Sequence, residues 1–99
     1  MATTRQKSRV RVLLVDDHAL MREGLVSLLE REGFDIVGAA ASGEEGLRLA
    51  RERRPDVVLM DVSMPGMDGF AATAALLRDV PESRVVALSI RDDAETGEG

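Results

Sequence analysis

An α/β fold with a parallel sheet in the strand order 2-1-3-4 is predicted here on three observations. Short apolar runs alternate with segments of helical period through four strands. The run at 57–60 is continuously apolar, as in a strand covered on both faces. Two of these runs end in acids: Asp16 and Asp17 follow residues 10–15, and Asp61 follows residues 57–60.

Each element has its own signal. Residues 1–8 are polar and read as a tail, and the domain proper is expected over 9–91. The first strand is predicted over 10–15. The first helix, over about 19–32, places Met21, Leu25, Leu28 and Leu29 at helical spacing and stops at Gly33. Residues 34–37 alternate, which suggests an edge strand with one wetter face. Ser42 and Glu45 form a capping-box pattern for a second helix that runs to about Arg53. Glu44 and Arg48 stand four apart as a supporting pair, and Pro55 bars continuation.

The third strand is predicted over 56–60, followed by a turn cluster at 65–69. The third helix is expected over about 69–78 with Phe70, Ala74 and Leu77 inward, and the fourth strand over 84–89. Residues 92–99 are acidic and polar, a tail or the start of an unfinished helix. Right-handed crossovers and an edge position for the second strand give the order 2-1-3-4. The switch point then falls between the first and third strands, where Asp16, Asp17 and Asp61 meet.

Composition narrows the function. The chain has 99 residues, 44% hydrophobic and 31% charged, enough for one globular domain. A net charge of −5 argues against nucleic-acid binding by this segment. There is no cysteine for a thiolate metal site or nucleophile, and no apolar run approaches membrane-spanning length. No secretory signal is apparent, so a cytoplasmic location is expected.

A lone aspartate ahead of a helix is well explained as a cap or turn residue. Three acids at neighbouring strand ends are not, because each added charge raises the electrostatic cost of a purely structural role. A hard cation, Mg²⁺, offsets that cost with oxygen ligands. Ser89, ending the fourth strand beside the third, is placed so that its hydroxyl can reach a group attached to Asp61.

The strings Val12-Leu13-Leu14-Val15-Asp16-Asp17-His18, Asp61-Val62-Ser63-Met64-Pro65-Gly66-Met67-Asp68-Gly69 and Val85-Val86-Ala87-Leu88-Ser89 resemble the receiver domain of two-component response regulators. The stretch from Asp16 to Leu25 resembles in particular receivers that precede a LuxR-type DNA-binding domain. The resemblance covers about 9–93 and implies a flavodoxin-like doubly wound sheet. It implies that Asp61 is the phosphoryl acceptor, taking the group from a sensor histidine kinase or a small acyl phosphate. It implies that Asp16, Asp17 and Asp61, with the backbone carbonyl of Ser63, hold Mg²⁺, and that Ser89 turns toward the phosphoryl oxygen as a switch. His18, the sole histidine, is read as a loop residue beside the acids.

Departures from the family pattern are also expected. The receiver resemblance implies a fifth strand, ending in lysine, and further helices; the sequence is read as C-terminally truncated before them. Lys7, the sole lysine, lies in the tail and is no substitute. The fourth strand then becomes an edge open to pairing, and a homodimer through it or through the first helix is expected. The alternative function is a phosphorylation-deficient receiver remnant acting as a dimerisation or interaction module. A phosphatase of the haloacid dehalogenase type wants a second acid two residues after Asp61, where Ser63 stands. Dinucleotide binding lacks its glycine-rich first turn, since Asp16-Asp17-His18 fills that place.

Overall fold

The computed structural model describes residues 9–62 and 69–88. Four strands form one parallel sheet: β1 (Arg11–Val15), β2 (Asp35–Ala40), β3 (Val57–Asp61) and β4 (Arg84–Leu88). Their order is β2-β1-β3-β4, as predicted. Helices α1 (Ala19–Arg31), α2 (Gly43–Arg53) and α3 (Gly69–Asp79) connect them. The turn cluster at 65–68, Ser63, Ser89 and both expected tails lie outside the described residues.

The sheet has two unequal faces. Leu13 and Val15 of β1, with Val58 and Met60 of β3, join Leu47, Leu49 and Ala50 of α2 and Ala72, Ala75 and Leu76 of α3 in one buried core. Side chains alternate along a strand, so Leu14, Leu59 and Val86 point to the opposite face, which α1 covers over β1 and β2. These three are neighbours in register, and their burial falls in order. Leu14 is 1% exposed, Leu59 half-buried and Val86 45% exposed. Leu20, Met21 and Leu28 of α1 are exposed as well.

Local chemistry ends α1 and starts α2 where the sequence signals it. After α1, Gly33 takes φ +99° and its N–H donates to the Glu30 carbonyl, while Phe34 N–H donates to Leu29. That pair of bonds is a Schellman ending, which needs the left-handed residue that glycine accepts without strain. At the start of α2 the Ser42 hydroxyl accepts from Glu45 N–H at 3.1 Å. The return arm differs from a standard capping box: Glu45 Oε1 accepts from Ala41 N–H at 3.0 Å, one residue before the cap.

At its other end α2 closes on Arg54, a non-glycine residue at φ 48°. The Arg11 guanidinium donates to the Arg54 and Arg53 carbonyls at 2.7 and 2.8 Å, serving two helix-end acceptors from β1. Arg51 bridges α2 to α3 through Asp79 at 2.5 Å, and this hydrogen bond holds the Asp79 carboxyl below its ordinary range.

Four expectations are corrected. Among the described side chains of α3 the inward ones are Ala72, Ala75 and Leu76, while Ala74 and Leu77 are exposed; the Phe70 side chain lies outside the described residues. Residues 70–77 are apolar at every position except Thr73, so spacing alone does not select a face. Arg48 pairs with Glu52 at 3.2 Å rather than with Glu44. Strand β2 runs on to Ala40, because Leu13, Leu14 and Val15 pair with Gly38, Ala39 and Ala40 after a register shift. Asp61 is the last residue of β3 rather than the one after it.

Candidate functional site

The switch point between β1 and β3 gathers the acids. Val15 and Met60 are partners in register, so Asp16 and Asp61 emerge side by side at the carboxyl end of the sheet. Asp16 N–H still donates to the Ala40 carbonyl at 3.0 Å, which fixes its backbone against β2. Arg22 Nη1 reaches back from α1 to the Asp16 carbonyl at 2.6 Å. Asp16 and Asp61 are 2% and 1% exposed, while Asp17 is open to solvent.

One ligand atom from each of Asp16, Asp17, His18 and Asp61 lies within 4.8 Å of the others. His18 occupies the N-cap position of α1, yet its side chain makes no capping bond. Its ring turns to the acids instead. His18 Nδ1 is 3.1 Å from Asp16 Oδ1, 3.1 Å from Asp17 Oδ1 and 3.7 Å from Asp61 Oδ2. His18 N–H also donates to Asp16 Oδ1 at 2.8 Å. The Asp16 hydrogen bond, and after it the charge of Asp17, raises the His18 pKa above 6.5.

A hard divalent cation fits this pocket. Three of the four converging groups are carboxylates, and Asp16 Oδ2 is buried without a hydrogen-bond partner. The structure thus brings together Asp16, Asp17 and Asp61 of the expected set. Ser63 and Ser89 lie outside the described residues, though Leu88, which precedes Ser89, pairs with Asp61 and accepts from Val62 N–H at 3.0 Å. Sequence reasoning gave His18 no part in the site. Its adjacency to the acid pair was the available signal, but not the direction of its ring.

A parallel sheet in this order, with acids at the switch point, defines a signalling receiver of the flavodoxin-like class. The chain belongs to the response regulator receiver domain family, whose profile matches residues 12–98. It is 52% identical over 85 residues to the response regulator GacA of Pseudomonas viridiflava, covering 85% of this chain and 40% of that protein. The chain therefore spans about 40% of the length of the curated relative it matches. A LuxR-family two-component response regulator from Aurantimonas sp. SI85-9A1 superposes with a TM-score of 0.79 at 36% identity, covering 92% of this chain and 66% of that one. The CheX–CheY–BeF3–Mg²⁺ complex from Borrelia burgdorferi contains a chain that matches with a TM-score of 0.78 at 28% identity, over 90% of this chain and 68% of that one. Among the described residues no helix is long and apolar enough to cross a membrane.

Proposed function

We propose that this chain is the phosphoacceptor of a two-component response regulator, and that Asp61 carries the phosphoryl group. One observation carries the reading: Asp61 is buried at the end of β3, and its carboxylate converges with those of Asp16 and Asp17. In the proposed reaction an Asp61 carboxylate oxygen attacks the phosphorus of a phosphohistidine on a sensor histidine kinase. The P–N bond breaks, an acyl phosphate P–O bond forms, and the imidazole leaves with the electron pair.

Asp16, Asp17 and Asp61 would hold Mg²⁺, with the Ser63 backbone carbonyl as a further oxygen donor. When bound, the ion neutralises charge on the phosphoryl oxygens and lets an anion approach an anion. The CheX–CheY complex that contains a matching chain was solved with BeF3 and Mg²⁺, which supports a cation at the corresponding acids here. Ser89 would meet the phosphoryl oxygen from the end of β4. The output is proposed to be a DNA-binding domain, as the LuxR-family relatives suggest, and the setting cytoplasmic. A second copy of this chain is the proposed partner of the strip formed by Leu59, Val86 and the exposed side of α1.

Intact mass after incubation with acetyl phosphate and Mg²⁺ tests the reading. A single phosphoryl adduct is expected in the wild type and none in Asp61→Asn. An adduct that persists in Asp61→Asn would remove Asp61 from its role.

A further inference from the structure

A guanidinium stands near the amino end of α1, where neither the helix nor the pocket favours a cation. Arg22 is the fourth residue of α1, whose first turn carries no acid, and the positive end of the helix dipole disfavours a cation there. A positive charge so close to the acids also opposes the binding of a metal ion. The side chain is half-buried, and its Nη1 donates to the Asp16 carbonyl at 2.6 Å. The main chain of Asp16 is thus held from two sides. Its N–H donates to the Ala40 carbonyl of β2 at 3.0 Å, and its own carbonyl accepts from α1. The guanidinium takes this neutral oxygen and not Asp16 Oδ2, which is buried without a hydrogen-bond partner, so the contact consumes no carboxylate oxygen of that acid.

We propose that Arg22 is a positioning residue for the acid pair: through the Asp16 carbonyl it fixes the peptide between residues 16 and 17 and presets the Asp17 carboxylate for the divalent cation. The peptide group is planar, so a bond that holds the Asp16 carbonyl also sets the direction in which the chain enters Asp17. Asp17 depends on this more than the other acids do. The Asp16 and Asp61 side chains are 2% and 1% exposed, and Asp16 Oδ1 accepts from His18 N–H at 2.8 Å, whereas the Asp17 side chain is 30% exposed. The inference deepens the reading of the pocket as a cation site and rests on it. Position and charge act here in opposite directions. Neutralising Arg22 would tighten binding if repulsion of the ion dominated, and weaken it if the preset ligand dominates.

Calorimetric Mg²⁺ titration of the whole chain, at a temperature where circular dichroism shows each variant folded, tests the inference. Arg22→Met and Arg22→Gln remove the charge and the long donor, and both are good helix formers. The Mg²⁺ dissociation constant is expected to rise by about tenfold in either, the lower range of effect for groups that orient metal ligands. Arg22→Lys, which keeps the charge and a donor, should recover part of the loss. In an Asp17→Asn background, Arg22→Met should change the constant far less than it does in the wild type. A purely structural role would move the unfolding midpoint but not the Mg²⁺ affinity of the folded protein. Unchanged or tighter binding in a folded neutral variant would overturn the inference and leave the cation site standing, as would equal effects in the wild-type and Asp17→Asn backgrounds. Failure of folded wild-type protein to bind Mg²⁺ would overturn both.

Discussion

Gly46 of α2 lies directly on Val15 of β1: a Cβ at Gly46 would stand 2.6 Å from Val15 Cγ2. Val15 precedes the acid pair and is 1% exposed, so it has no space to withdraw into. Its χ1 is also stiff, as in all β-branched residues. Alanine in place of glycine within a helix gains up to ~1 kcal/mol, but overpacking a closed core costs ~1–3 kcal/mol. The clash wins. Gly46→Ala should be destabilised in urea unfolding, and the double change with Val15→Ala should cost less than the sum of the two single losses. Strict additivity of the two changes would show that the contact is not the cause.

The N-cap of α2 gives a second separation of effects. The Ser42 hydroxyl satisfies Glu45 N–H, while Glu45 satisfies Ala41 N–H in an exposed position that water can serve equally well. Ser42→Ala should cost about 1 kcal/mol. Glu45→Ala should cost about 0.5 kcal/mol or less, because the donor it releases is rehydrated. Equal losses in chemical denaturation would mean that the displaced arm of the box matters as much as the cap.

Most of the architecture and the acid cluster were legible because each rests on a local signal. Asp16, Asp17 and Asp61 terminate apolar runs, and the alternation of strands and helices places those ends together. What the sequence hid depends on long-range pairing. Gly38, Ala39 and Ala40 have weak strand propensity and are held in β2 by β1. The inward face of α3 was masked by apolar residues on nearly every side of the helix. The aim of the His18 ring is set by where Asp61 arrives, 43 positions later in the chain, and no spacing within the Asp16-Asp17-His18 loop encodes it.

Cation binding should register as stability. An ion bound only by the folded state stabilises it by about 1.4 kcal/mol at roughly ten times its dissociation constant. Wild-type protein should therefore melt higher as Mg²⁺ is added. Asp16→Asn and Asp61→Asn should respond far less, since each removes a buried carboxylate of the cluster. Equal upward shifts in all three proteins would place the ion elsewhere.

His18 also ties stability to pH in the metal-free protein. Its pKa in the fold is raised above 6.5, first by the hydrogen bond to Asp16 and then by the charge of Asp17. A group whose folded pKa is raised binds its proton more tightly in the fold than in the unfolded chain. Its contribution is therefore complete below the unfolded value and is lost as pH rises through the folded value. Thermal midpoints in chelator-treated buffer should show the wild type exceeding His18→Gln at ~pH 5.5, with the gap closing toward ~pH 9. Saturating Mg²⁺ should shrink the gap at every pH, because a bound cation supplies the positive charge that the imidazolium otherwise provides and repels it from the same carboxylates. Curves that run parallel across that range would show that the proton on His18 does not distinguish the folded from the unfolded chain, and that the acids are balanced by something other than the imidazole.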